Sequence, residues 1–176
     1  MNRNQRYIPL IVTVGQVVIF PYYIIWLKEV SLTFTLFAWF FAAFSFSAAW
    51  GYRVFQTNKQ KDKTPIFIIY AVMGIVYCLI GLSNDVEDYL PYIALVFQVI
   101  IGFLQGYFRA WHINQKTYHV DAVHHYLLVG LSMFGLSFIH IISPVFFLIF
   151  FGSVLCLLSF WELCVKLMNF KQDNRK

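Results

Sequence analysis

The chain alternates between long apolar runs and short polar connections. Each run is near the roughly 20 residues that a helix needs to cross the hydrocarbon of a membrane. We therefore predict an all-α integral membrane protein, with one transmembrane domain over residues 1–176 built as a six-helix bundle. The predicted helices are approximately 7–27, 33–54, 65–83, 90–110, 124–142 and 144–167.

The basic residues predict how this bundle is oriented. Of 13 Lys and Arg residues, only Lys28 falls on the outer side when the N-terminus is placed in the cytoplasm. The outer loop that carries Asp85, Glu87 and Asp88 has no basic residue. Positive charge marks the cytoplasmic side of membrane proteins. We expect a multi-pass protein of the cell (plasma or inner) membrane with both termini cytoplasmic.

Composition supports the membrane class and limits the partners. Hydrophobic residues make up 60% of the chain and charged residues 12%, whereas soluble domains carry roughly 25% charged residues. The net charge of +5 is spread over helix ends and forms no stripe, which excludes nucleic acid as a partner. The lipid bilayer is the expected surrounding, and another membrane protein or a second copy of the chain remains an open partner.

The stretch 109–126, which joins the fourth and fifth runs, contains four of the five histidines. Apolar and polar residues alternate from 110 to 121, which is the period of a strand. We predict a short cytoplasmic β-hairpin between helices 4 and 5, with a turn at 115–116 and His112 opposite His119.

That register gives a candidate metal or polar cluster. His112, His119 and Asp121 would share one face, and His124 and His125 would lie in the first turns of helix 5. Two imidazoles and a carboxylate are a conceivable ligand set. The alternatives are a solvated hairpin face, an Asp121 that caps helix 5, and a surface that responds to pH.

No cofactor is predicted. A haem held by two histidines inside a bundle needs them at equal depth on facing helices. His140 is the one histidine that the pattern places near the outer end of a helix. A single chain therefore lacks such a site, whereas a homodimer paired through His140 would offer one.

Few polar side chains interrupt the apolar runs. Gln16 lies in helix 1, and Gln98 and Gln105 lie seven residues apart on one face of helix 4. Amides inside a membrane point into the bundle, because lipid offers them no partner. We interpret these amides either as partners in hydrogen bonds between helices or as a polar path along helix 4 for a small ligand or an ion.

Small residues predict where helices approach closely. They are Gly102 and Gly106 on helix 4, together with Ala42, Ser45 and Ala49 on helix 2.

Two stretches resemble the CcdC-like group of small polytopic membrane proteins. One is Trp50-Gly51-Tyr52-Arg53 at the end of helix 2, and the other is Gly102 to Gly106 followed by Arg109, with a polar segment that reaches Asp121. The resemblance covers about residues 45 to 140. It implies this arrangement of helices, and the name of the group suggests cytochrome c biogenesis.

Three classes of function remain open. The first is a scaffold, regulatory or immunity-type protein without catalysis, which acts through helix contacts. The second is a transporter or substrate-binding membrane subunit that uses the polar face of helix 4. The third is a membrane enzyme or a metal- or haem-handling protein that uses the histidine cluster. No nucleophile elbow or HExxH motif supports an enzyme.

Overall fold

The computed structural model describes residues 7–29, 33–58, 66–83, 90–114, 122–137 and 143–173. These residues are helical except at Thr33, Asn58 and Ser143, and none of them lies in a strand. The six helices are α1 (Tyr7–Glu29), α2 (Phe34–Thr57), α3 (Ile66–Leu82), α4 (Leu90–Asn114), α5 (Ala122–Ser137) and α6 (Pro144–Asp173).

Four helices are long and apolar enough to cross a membrane. These spans are Ile8–Trp26, Phe34–Thr57, Leu90–Asn114 and Pro144–Met168. Helices α3 and α5 are also apolar but shorter, at 17 and 16 residues. The structure thus agrees with a helical membrane protein.

Two helix starts are fixed by residues that suit them. The Thr33 hydroxyl accepts a hydrogen bond from the Leu36 N–H at 3.3 Å at the start of α2. The Ser143 hydroxyl accepts one from the Phe146 N–H at 3.4 Å at the start of α6. Pro144 follows at the first helical position, where a missing N–H costs nothing.

The predicted β-hairpin is wrong in its first strand. Trp111, His112 and Ile113 continue α4, which ends at Asn114. The ring of Phe108 lies 6.1 Å from that of Trp111 and 5.8 Å from that of His112. Side chains three and four residues apart meet in this way on a helix. This ring packing favours the helix over the strand that the short alternation of apolar and polar residues predicted. The expected partner strand with His119 and Asp121 lies outside the described residues.

Helices α2 and α4 touch backbone to backbone through glycine. A Cβ atom at Gly106 would overlap the carbonyl group of Ala48, and one at Gly51 would overlap that of Phe103. A Cβ atom at Gly102 would come within 2.6 Å of the Phe44 carbonyl oxygen. The predicted contact at Gly102 and Gly106 is therefore made within this chain.

The contact face of α2 differs from the predicted one. Ser47 and Gly51 are buried against α4, whereas Ser45 and Ala49 are exposed and Ala42 is half-buried. The reason is that α2 is rich in small residues on several faces. Composition alone does not select the face that the glycines of α4 meet.

Helices α3 and α6 form a second close pair. A Cβ atom at Gly74 would come within 2.7 Å of the Gly152 carbonyl oxygen. A Cβ atom at Gly152 would likewise come within 2.7 Å of the Gly74 carbonyl oxygen. Gly74 also faces the Cys156 thiol, and Gly152 faces the Cys78 thiol. The Ser159 hydroxyl donates a hydrogen bond to the Phe67 carbonyl oxygen at 2.7 Å.

Paired contacts give the direction of one helix relative to another. In α2 and α4, Phe44 meets Gly102 and Phe55 meets Tyr107, so the two helices are parallel. In α3 and α6, Phe67 meets Ser159 and Gly81 meets Ile149, so they are antiparallel.

Two further pairs are antiparallel. In α3 and α4, Tyr70 meets Phe108 and Tyr77 meets Gln105. In α1 and α6, Gly15 lies against Phe151, and the rings of Tyr22 and Phe147 are 4.2 Å apart. Helix α1 thus packs against α6, with α5 packed against α1, and the Phe20 ring of α1 meets the Phe41 ring of α2.

Candidate ligand-binding cleft between α1, α2 and α4

The three predicted glutamines line one cavity in the middle of the bundle. This glutamine cavity has a volume of about 340 Å³, and its polar wall is formed by Gln16, Tyr23, Tyr77, Gln98 and Gln105. Gln98 is buried, with 6% of its surface exposed. Seven residues are close to two helical turns, so Gln98 and Gln105 share the face of α4 that looks into the cavity.

The polar groups of the glutamine cavity are only partly satisfied by each other. The side chains of Gln105 and Tyr77 form a hydrogen bond, and the Gln16 amide donates a weak one to the Met73 sulfur at 4.0 Å. The Tyr23 hydroxyl is buried and has no hydrogen-bond partner among the described residues. A buried hydroxyl without a partner costs about 1–3 kcal/mol, and a bound molecule with a polar atom would remove that cost.

A second cavity continues from the first toward the C-terminal end of α4. This histidine cavity has a volume of about 550 Å³, which lies within the range of small-molecule sites. Its polar wall contains Thr13, Gln16, Gln105, Arg109, His112 and His125.

The two cavities adjoin, because both are lined by Gln16, Val17, Phe44 and Gln105. Together they form the cleft. Along α4 the cleft runs from Gln98 to Ile113, a distance of 15 residues or roughly 22 Å. It is therefore long and narrow, with room for an extended molecule.

One side of the cleft borders the outer surface of the bundle. Val17, Phe20 and Phe41 line the cleft and are 46%, 42% and 42% exposed. The rings of Phe20 and Phe41 meet edge to face at 5.8 Å and bridge α1 and α2. A molecule in the surrounding lipid is thus separated from the glutamine cavity by this aromatic contact.

Charge is unevenly distributed along the cleft. Arg109 is exposed and lines the histidine cavity, together with the buried His112 and the half-buried His125. Among the described residues that line the two cavities, none is acidic. The cleft therefore has a cationic end and a neutral, amide- and phenol-lined end.

The predicted metal cluster is not assembled by the described residues. Within them, no three His, Cys, Asp or Glu side chains lie together in a way that would hold a metal ion. His124 is helical, as expected for the start of α5, and His119, Asp121 and His140 lie outside the described residues. His112 is buried in α4, so it does not belong to a solvated hairpin face.

Sequence reasoning missed the two tyrosines. Tyr23 lies near the end of α1, where aromatic residues commonly mark a membrane boundary, yet it is buried with 5% of its surface exposed. Its position seven residues after Gln16 places it on the same face of α1, and this signal was present in the sequence. Tyr77 has no comparable signal, since only the packing of α3 against α4 brings it to Gln105.

Comparisons with known proteins find no matching protein family, curated protein or solved structure. The resemblance to the CcdC-like group therefore stays a prediction.

Proposed function

We propose that the chain is a multi-pass membrane protein that binds a small molecule inside its bundle, as a transporter or a substrate-binding subunit. The observation that carries this proposal is the cleft. It brings Gln16, Gln98 and Gln105 together and leaves the Tyr23 hydroxyl without a partner among the described residues. Polar groups within a membrane are costly, and they mark binding sites and pathways.

The directions of the helices support six crossings. Because α2 and α4 are parallel and both are long enough to span, the chain has to return across the membrane between them. Helix α3 is the segment available for that return. Its 17 residues extend about 25 Å, which is slightly less than the roughly 30 Å of hydrocarbon.

The same argument applies to α5. Helix α3 is antiparallel to both α4 and α6, so α4 and α6 point the same way. The chain must return between them, and α5 supplies 16 apolar residues. The distribution of the basic residues supports a bundle with both termini in the cytoplasm, and the cationic end of the cleft would then open there.

A scaffold that acts through helix contacts is the second candidate. Its strongest sequence signal, Gly102 and Gly106, is already used inside the chain by α2, which favours ligand binding instead. Ser45 and Ala49 remain exposed on another face of α2. They offer the place where a second copy or another membrane protein would pack.

Native mass spectrometry of protein purified from its own membranes tests the proposal. We expect one small molecule to remain bound to the wild-type chain, and the double variant Gln98→Leu, Gln105→Leu to lose most of it. Leucine is similar in size but removes the amides that would bond the ligand. The same spectra report whether the chain is monomeric.

Gln56→Leu is the matched control, because Gln56 is exposed at the end of α2 and lines neither cavity. This variant should retain the ligand. An equal set of bound molecules in the wild type and the double variant, or none in either, would rule out the ligand-binding function.

A further inference from the structure

We infer that the ligand of the cleft is an anionic amphiphile, with its charged group at Arg109, its hydrocarbon body along Val17 and Phe44, and a polar group at its far end among the glutamines. The shared chemistry is a phosphate or carboxylate head on an apolar chain. This inference rests on the proposed function and adds the chemical class of the ligand.

The charge of the histidine cavity selects an anion. Arg109 contributes a fixed positive charge, and no acidic side chain neutralises it within the described lining. A guanidinium group binds phosphate or carboxylate with two parallel hydrogen bonds. His112 and His125 line the same cavity, and imidazole N–H groups are further donors to an anion.

The remaining wall selects a hydrocarbon body. Val17, Phe44 and Phe108 line the histidine cavity around its polar residues, and Val17 and Phe44 continue into the glutamine cavity. A free inorganic anion would leave this apolar length unfilled. An alkyl chain would cover it and would displace no charged side chain.

The outer surface of the cleft supports the same class. Val17, Phe20 and Phe41 line the cleft and are also exposed on the bundle surface. On this side only the contact between the Phe20 and Phe41 rings separates a molecule dissolved in lipid from the cleft. The charged head of that molecule would stay at the membrane boundary, where Arg109 is exposed.

The test uses four probes on the full-length protein in a neutral detergent: dodecyl phosphate, dodecanol, dodecyltrimethylammonium and inorganic phosphate. Binding is measured by native mass spectrometry and by the saturable rise of the melting temperature. We expect dodecyl phosphate to bind one to one and the other three probes to bind at least about tenfold more weakly. Dodecanol and dodecyltrimethylammonium lack the charge-assisted hydrogen bond of the anion, and inorganic phosphate lacks the alkyl chain.

Two variants of the histidine cavity locate the head group. Arg109→Gln should weaken dodecyl phosphate about tenfold, and Arg109→Lys should recover part of the affinity. His125→Gln places another uncharged side chain in the same cavity, and it should also weaken binding. Arg53→Gln is the control, since Arg53 is exposed near the end of α2 and lines neither cavity.

Each other outcome overturns the inference. Equal binding of dodecanol, or no effect of Arg109→Gln, means that the head group is not recognised as an anion. Equal binding of inorganic phosphate means that the ligand is a free anion. If no probe binds but the native ligand is still lost on changing Gln98 and Gln105, the anionic amphiphile is wrong and the ligand-binding function stands.

Discussion

Gly106→Ala is expected to destabilise the protein by about 3 kcal/mol, which lowers the melting temperature by roughly 6–12 °C for a chain of this size. The added methyl group would overlap the carbonyl group of Ala48. A backbone atom of a packed helix cannot rotate away as a side chain can. Helices α2 and α4 would therefore have to separate along their contact. Thermal unfolding in a neutral detergent measures the loss.

Gly130→Ala is the matched control for this substitution. Gly130 also lies within an apolar helix, but a Cβ atom there meets none of the described residues within 4 Å. Alanine is the better helix former, so the melting temperature of this variant should stay the same or rise. If the Gly106→Ala and Gly130→Ala variants have the same melting temperature, the close contact between α2 and α4 does not exist.

The facing glycines of α3 and α6 should show strong coupling. Gly74→Ala and Gly152→Ala are each expected to cost about 1–3 kcal/mol of stability. The double variant should cost clearly less than the sum of the two, because one methyl group already forces the helices apart. Residues in contact typically deviate from additivity by 0.5–3 kcal/mol. The four melting temperatures of the cycle measure this coupling.

Gly135→Ala supplies the reference for that cycle, since a Cβ atom at Gly135 also has no neighbour within 4 Å in the described part of the chain. Its effect should add to that of Gly74→Ala within roughly 0.5 kcal/mol. Strict additivity of Gly74→Ala with Gly152→Ala would mean that the two residues do not face each other.

The sequence identifies features that repeat within one helix. Gly102 and Gly106 are four residues apart, and Gln98 and Gln105 are seven apart, so helical periodicity alone assigns each pair to a face. Gly74 and Gly81 are also seven residues apart, which assigns them to one face of α3, but Gly152 has no second glycine in α6. That Gly74 faces Gly152 appears only when α3 and α6 are placed side by side.

The end of α4 illustrates where a short pattern misleads. The four residues 111–114 alternate as a strand would, but a helix that already buries Phe108 gains more by continuing. The placement of Arg109, His112 and His125 around one cavity depends on that continuation. The cationic end of the cleft could not be predicted from residue types alone, because it combines the end of one helix with the start of the next.

The passage of α3 across the membrane is the central claim of the proposed topology, and it is argued from the parallel α2–α4 pair. It is tested by single cysteines at Lys61 and Asp85, on either side of α3, in a chain whose Cys78, Cys156 and Cys164 are replaced by alanine. An impermeant thiol reagent added to intact cells should label Asp85→Cys and should reach Lys61→Cys only after the cells are opened. Labelling of both positions from the same side would contradict the account.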